Sequence, residues 1–244
     1  MPQSCFADRL GDIADLTPSE RMALDRLEER ERLLRRNMTL QRENDRATEM
    51  YVLRKGTMMS SVLLDDGSRQ ILRFHFAGDL LAVTNMIYGD ATETITALSD
   101  CVVAPFDRSV LSALMLAQPR IAALILIYNQ IERAALTDRL AAIGRTSAKA
   151  RVAATLVEIR NRMKMLDRSI TSSFVLGLTQ EEIGDATGLT AVHVNRMLRQ
   201  LEEEKLIVRE AGRVRFLDEP KLMRAANYID RYADLDLAWL PAAA

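Results

Sequence analysis

Gly188 stands between two short segments that each carry the capping signals of a helix, and this arrangement limits the fold of the second half of the chain. Thr179, with Glu182 three residues later, forms a capping box for a first helix. Gly188 can take the left-handed conformation that a tight turn between two helices requires. Thr190 is placed to cap a second helix. The buried stripe that we predict for this second helix consists of Val194, Met197, Leu198 and Leu201.

The residues on the outer face of the second helix are suited to contact with DNA. A helix of this kind enters the major groove with its N-terminus first. Arg196 has the fork geometry for guanine O6 and N7, and Asn195 can pair with adenine N6 and N7. The predicted base-reading residues are Arg196, Asn195, His193, Val192 and Ala191. The predicted phosphate contacts are Thr179, Gln180, Thr190, Arg199 and Arg213.

Two short β runs around Ala211-Gly212 follow the helix pair and predict a hairpin, the wing of a winged helix-turn-helix. Arg209, Arg213 and Arg215 on this hairpin are expected beside the DNA backbone. Residues 145–217 contain 13 Lys/Arg and 9 Asp/Glu, a basic balance that suits a polyanion. An ordinary antiparallel helical hairpin remains the alternative for the helix pair taken alone.

The composition of the segment between Thr48 and Asp107 is typical of β-strands. Glycines occur at positions 56, 67, 78 and 89, a constant spacing of 11 residues, which matches one strand plus one turn. The segment from Asp65 to Ser68 is a strong hairpin signal. We therefore predict an antiparallel β-roll in the first half of the chain.

From Pro119 to about Gly144 the pattern becomes helical. The first part of this segment is apolar on nearly all sides, so more than one of its faces must be covered. One face can pack on the β-roll and another on a second copy of the chain, with burial inside a single domain as the alternative. The predicted dimerisation residues are Ile121, Leu124, Ile125, Tyr128, Ile131 and Ala135.

The order of β-roll, long helix, capped helix, helix-turn-helix and wing resembles the Crp/Fnr family of bacterial transcription regulators. The most specific matches are the runs 178–183, 188–190 and 192–198, supported by 66–72 and 77–79. The resemblance implies a sequence-specific regulator that binds double-stranded DNA as a homodimer on a pseudo-palindromic operator and contacts RNA polymerase. Arg196 falls on the family's main base-reading arginine, whereas Val192 falls where better-known members carry a glutamate.

The sensor positions of the family are altered in this sequence. Cyclic-nucleotide binders place a Gly-Glu pair and later an Arg-Ser pair where this chain has Ala82-Val83 and Thr92-Glu93-Thr94, so cAMP is not expected as an effector. An iron–sulfur cluster is not expected because the chain has only Cys5 and Cys101. Haem is not expected because His75 precedes the Gly78-Asp79 turn, whereas the family's haem histidine follows it. We expect His75 to be a strand side chain and Cys101 to be a packed thiol.

The sequence also argues against a membrane protein, a secreted protein and an enzyme. The sequence contains no apolar run of 18 residues and no secretion signal at its start, which predicts a cytoplasmic protein without membrane contact. It contains no nucleophile elbow, phosphate loop or metal signature, so we do not expect an enzyme. Two alternatives are kept: a β-roll that binds a ligand or partner beside a vestigial helix-turn-helix, and a cupin-like metalloenzyme, for which His75 is the only histidine in the roll.

The predicted fold is therefore of the α+β class: an N-terminal jelly-roll-like β-roll, a long dimerisation helix and a C-terminal winged helix-turn-helix. The predicted domains are 1–118 for the cyclic-nucleotide-binding-like sensor, 119–144 for the long helix, 145–222 for the DNA-binding domain and 223–244 for a C-terminal helical extension.

Overall fold

The computed structural model describes residues 4–242, which divide into two compact units. The first unit contains residues 4–62, His75–Ala135 and residues 231–242. The second unit contains Leu63–Phe74 and Leu136–Asp230. The chain therefore enters the second unit twice and returns to the first unit each time.

The first unit contains the predicted antiparallel β-roll. Two short helices precede it, α1 (Cys5–Gly11) and α2 (Pro18–Asp25). The strands are β1 (Arg32–Leu34), β2 (Thr39–Gln41), β3 (Glu49–Lys55), β4 (Thr57–Leu63), β5 (Arg69–Phe76), β6 (Leu80–Leu81), β7 (Thr94–Ala97) and β8 (Cys101–Asp107). They form two four-stranded sheets with the orders β1-β8-β3-β6 and β2-β7-β4-β5. The tip of the β4–β5 hairpin, Leu63–Phe74, is part of the second unit, whereas the sequence placed it in the sensor domain.

The turns of the roll fall where the glycine spacing predicts them. Gly56, Gly67 and Gly78 have φ values of +93°, +82° and +86°, so each occupies a conformation that other residues rarely adopt. Gly89 lacks a positive φ and stands next to the isolated bridge between Arg46 and Asp90.

Helices α3 (Arg108–Ala117) and α4 (Pro119–Arg145) follow the roll. Tyr128 on α4 is buried, and its ring meets Phe6 of α1 edge-on at a centroid distance of 5.9 Å. The Tyr128 hydroxyl donates to Asp79 Oδ1 at 3.3 Å, and the same carboxylate pairs with Arg9 at 3.3 Å. The side chains of Arg9 and Asp79 are 1% and 0% exposed, so this ion pair is part of the core of the first unit.

The prediction of the dimerisation residues is wrong for most of the named positions. All but one are buried in the core of the first unit, because α4 uses this face to pack against the rest of its own unit; these are Ile121, Leu124, Ile125, Tyr128 and Ile131. Ala135 is half-buried.

The second unit holds the last part of α4 and a small α/β fold. Its elements are α5 (Ala148–Leu166), β9 (Ser173–Val175), α6 (Gln180–Thr187), α7 (Ala191–Glu203), β10 (Ile207–Glu210), β11 (Arg213–Phe216) and α8 (Glu219–Ala226). The strands form one antiparallel sheet in the order β10-β11-β9. Helix α5 packs against α6, α7 and α8, and Phe174 meets Phe216 edge-on at 5.5 Å. This core fixes the positions of α6, α7 and the β10–β11 hairpin.

The extension after residue 222 differs from the prediction, because α8 ends at Ala226 and no helix follows it within the described residues. Instead, Tyr232–Pro241, which we call the strap, lies against the first unit. Tyr232, Leu235, Leu237 and Leu240 pack against that unit's core. The Tyr232 hydroxyl donates to Glu132, and the Arg9 guanidinium lies over the Tyr232 ring at 5.7 Å. Near the other end of the strap, Arg120 Nε donates to the carbonyl oxygen of Pro241 at 2.7 Å.

Within the described residues, no single helix is long and apolar enough to cross a membrane. Helices α3 and α4 pass the same test as a pair that is bent by 119°. The buried apolar residues of this pair, among them Leu111, Leu114 and Ile121, belong to the core of the first unit.

Candidate nucleic-acid interface

Helix α6 begins at the capping box that the sequence predicts. The Thr179 hydroxyl accepts a hydrogen bond from the Glu182 N–H at 3.1 Å. The Glu182 carboxylate accepts one from the Thr179 N–H at 2.6 Å. Two of the N–H groups that a helix start leaves without helical partners are thus satisfied, and the predicted cap is confirmed.

The turn between α6 and α7 depends on two glycines. Gly188 has φ +65° and ψ +41°, the predicted left-handed conformation. The Gly184 carbonyl accepts hydrogen bonds from the N–H groups of Gly188 and Leu189, the second at 3.0 Å. A β-carbon at position 184 would lie 2.4 Å from the carbonyl oxygen of Leu189, closer than real side chains allow. Gly184 was not among the residues predicted to matter, although a glycine inside a helical pattern indicates a close approach of the backbone.

Helix α7 also has its predicted cap and buried stripe. The Thr190 hydroxyl accepts from the His193 N–H at 3.3 Å. The buried residues of α7 are Val194, Met197, Leu198 and Leu201. This stripe faces the core of the second unit, and the rest of the helix is left at the surface.

The predicted base-reading residues share the surface face of α7. Four of them are exposed, and Asn195 is half-buried; the exposed ones are Ala191, Val192, His193 and Arg196. Within the described residues, the Arg196 guanidinium makes no hydrogen bond or ion pair. Its donors therefore remain available for an external acceptor, and they stand one helical turn after the start of α7.

The predicted phosphate contacts surround this face. The exposed ones at the helix starts are Thr179, Gln180 and Thr190. Arg199 is exposed on α7. Arg213 on the wing is exposed and donates to the Ser173 hydroxyl at 3.2 Å, which holds its guanidinium beside β9.

The wing is a two-residue hairpin with Ala211 and Gly212 at its tip, both with positive φ, which confirms the predicted turn. Arg215 is exposed in addition to Arg213. The Arg209 guanidinium donates to Glu202 Oε2 at 2.7 Å and so links the wing to the end of α7. This hydrogen bond is also the main cause that lowers the pKa of Glu202.

A further contact reaches α6 from the β4–β5 hairpin tip in the same unit. Arg69 Nε donates to Asp185 Oδ2 at 2.8 Å, and the Gln70 amide donates to the Asp185 carbonyl oxygen at 2.7 Å. This contact could not be predicted from the sequence, because 115 residues separate the two partners.

The polar side chains at the sensor positions of the first unit bond to neighbouring groups of the same unit. The Thr92 hydroxyl is hydrogen-bonded to the Thr84 hydroxyl at 2.9 Å, and the Thr94 hydroxyl accepts from the Glu43 N–H at 3.0 Å. Glu93 adds a negative charge to the stretch where cyclic-nucleotide binders carry an arginine. The polar groups here bond to one another, and the charge would repel a phosphate.

The other candidate residues of the first unit are packed. His75 lies on β5 as predicted, is 3% exposed and has Nε2 at 3.1 Å from the Ser60 hydroxyl. Cys101 is buried at the start of β8, as predicted, and Cys5 is half-buried in α1. Burial raises the pKa of both thiols. Among the residues that the structure describes, no three His, Cys, Asp or Glu side chains are grouped to hold a metal ion.

Two family models match separate parts of the chain. Residues 31–118 match the model of a cyclic nucleotide-binding domain. Residues 150–225 match the model of a Crp-like helix-turn-helix domain.

Similar proteins align along most of the chain. The transcriptional activatory protein AadR of Rhodopseudomonas palustris is 30% identical over 217 residues, which cover 88% of each protein. The fumarate and nitrate reduction regulatory protein of Vibrio cholerae is 26% identical over 226 residues, 92% of this chain and 90% of that protein. The solved structure of FixK2 from Bradyrhizobium japonicum superposes with a TM-score of 0.69 at 26% identity, covering 80% of this chain and 96% of that one.

Proposed function

Because this chain belongs to the Crp/Fnr family of bacterial transcription regulators, we propose that it reads a pseudo-palindromic operator as a homodimer. It is a DNA-binding transcription regulator of that family. The observation that carries the proposal is the surface face of α7, where Arg196 is exposed and makes no contact with the described residues. The protein works by binding rather than by catalysis.

Each residue around α7 has a role that follows from its chemistry. Arg196 donates bidentately to guanine O6 and N7, and Asn195 pairs with an adenine edge. His193 reaches a base edge or a phosphate. The caps Thr179 and Thr190 still have a hydroxyl proton to donate, and together with Gln180, Arg199 and Arg213 they hold the DNA backbone.

The homodimer forms along a different face of α4 from the one first predicted. A stripe of surface residues on this helix repeats with alternating spacings of four and three, the pattern of a coiled-coil seam. Its members are Ala122, Leu126, Asn129, Arg133, Leu136, Leu140 and Ile143. Leu126, Leu136 and Leu140 are 56%, 43% and 72% exposed. A second copy of α4 would remove these leucines from water, and the two-fold symmetry would be repeated in the operator.

The regulator acts without a cyclic nucleotide, an iron–sulfur cluster or haem. This part of the proposal is supported by Glu93 in the phosphate-binding stretch, by the presence of only two cysteines and by the burial of His75 beside Ser60. Bound at its operator in the cytoplasm, the dimer meets RNA polymerase, as the family relationship implies.

The base-reading proposal is tested by selecting bound sequences from random duplex DNA with the purified full chain and no added ligand. We expect a two-fold-symmetric motif for the wild type and none for Arg196→Ala. Arg35→Ala is the matched control, since it removes the same charge from an exposed position in the first unit. No enrichment with the wild type, with or without added cell extract, would refute sequence-specific reading.

The dimer is tested separately by measuring the molar mass in solution. The double substitution Leu126→Glu and Leu140→Glu places four charges in the seam of a dimer, and we expect it to yield monomers. Leu116→Glu is the control, because Leu116 is 81% exposed on α3, outside the seam. A dimer that survives the double substitution would exclude this seam as the interface.

A further inference from the structure

The N-terminal end of α7 presents a large apolar side chain to solvent. Val192, the second residue of the helix, is 82% exposed, the highest value among the large apolar residues of the described chain. Its neighbours Ala191 and His193 are exposed as well, so it has no apolar cover in its own unit. The helix does not need it for folding, because other residues form the buried stripe of α7.

Val192 and Arg196 are four residues apart, and such residues lie on the same face of a helix. When α7 enters the major groove and Arg196 reaches guanine, Val192 therefore faces the same groove one helical turn nearer to the N-terminus. The side chain of valine has no hydrogen-bond donor or acceptor, so it cannot read the polar edges of bases. The apolar group that unmodified DNA displays in the major groove is the C5-methyl group of thymine.

We propose that Val192 is a specificity-determining residue that recognises the C5-methyl group of a thymine in each half-site. The thymine lies within about two base pairs of the guanine that Arg196 reads, since one helical turn advances about 5.4 Å along the groove. This inference rests on the proposed function and narrows it. It assigns thymine to the base that Val192 contacts, whereas a glutamate in place of Val192 would read a different base. Loss of one methyl contact corresponds to about a fourfold weaker Kd per half-site and about fifteenfold for both half-sites.

The test uses the operator obtained from the selection and replaces its thymines with deoxyuridine, which differs from thymidine by the C5-methyl group. The Kd is measured by fluorescence anisotropy at one fixed salt concentration for the full chain and for Val192→Ala. For the wild type we expect one symmetric pair of thymines at which the replacement weakens binding about fifteenfold. For Val192→Ala we expect weaker binding to the thymine operator and no further loss with deoxyuridine at that pair.

His193→Ala serves as the control variant, since His193 is the exposed neighbour of Val192 and lacks this contact in the proposal. It should keep the full sensitivity to deoxyuridine even if its overall affinity falls. A wild-type Kd that is unchanged by deoxyuridine at every thymine would overturn the inference and leave the proposed function standing. A sensitivity that persists in Val192→Ala would do the same, whereas a selection without any motif would overturn both.

Discussion

The substitution Gly184→Ala tests whether the close approach of α6 to the start of α7 fixes the helix-turn-helix. The added β-carbon would lie 2.4 Å from the carbonyl oxygen of Leu189, and ordinary contact begins at 3.4 Å, so the turn must move by about 1 Å. The hydrogen bond from the Leu189 N–H to the Gly184 carbonyl, 3.0 Å long, resists this movement. Relief of the clash therefore weakens the contact that closes the turn.

The expected magnitude follows from three opposing contributions. Alanine favours a helix over glycine by about 1 kcal/mol. Overpacking costs about 2 kcal/mol, and the weakened hydrogen bond costs about 1 kcal/mol. The net result is a loss of about 2 kcal/mol in the free energy of opening of the helix-turn-helix. Because the start of α7 is displaced, we also expect weaker DNA binding.

Hydrogen exchange of peptides from residues 180–203 measures this local opening free energy directly. Gly144→Ala is the matched control, since position 144 lies in α4 with nothing within 4 Å of an added β-carbon, and there alanine should stabilise the helix. Gly188→Ala separates a second mechanism: its β-carbon would also meet nothing within 4 Å, and its cost of about 1–2 kcal/mol comes from the left-handed conformation alone. If Gly184→Ala exchanged as slowly as the wild type and bound DNA equally well, the steric argument would be refuted.

Three further outcomes are expected. Asp79→Ala should lower the free energy of unfolding by about 3–5 kcal/mol in chemical denaturation, because it removes the buried carboxylate that pairs with Arg9; a loss below 1 kcal/mol would contradict the importance of this pair. Truncation after Asp230 removes the strap and its half-buried leucines, each contributing roughly 1 kcal/mol, so the melting temperature of the first unit should fall; an unchanged value would show that the strap adds no stability. Cys5 and Cys101 should react with a thiol reagent at pH 8 more than tenfold slower in the native protein than in urea, because burial raises both pKa values and reduces the thiolate; equal rates would contradict their packing.

The parts of the interface that the sequence predicted correctly depend on interactions between near neighbours. The capping box of Thr179 and Glu182 joins residues three apart, and the left-handed turn at Gly188 is a property of one residue. The periodicity of α7 likewise assigns its buried and exposed faces without knowledge of the rest of the fold. Such local signals can be read from the sequence because they do not depend on contacts with distant segments.

The features that the sequence missed depend on which distant segments meet. The apolar residues around Ile125 signalled a covered helix but not whether a second copy or the chain's own core would cover it. The hydrogen bond from Arg209 to Glu202, which links the wing to α7, was likewise not predicted from the sequence. The run from Leu235 to Leu240 has no helical or strand period, so only the structure shows that it packs against a surface far from it in sequence.

The strap also has a consequence for the order in which the protein folds during its synthesis. Residues 4–135 emerge from the ribosome long before the segment that completes their unit, because Leu136–Asp230 must be translated first. At about 5–20 residues per second, this interval is roughly 5–20 s. Throughout that time the second unit is still being translated, and the first unit lacks its last contacts. A newly made chain therefore carries an incomplete first unit, with part of its apolar core exposed, during the whole synthesis of its DNA-reading half.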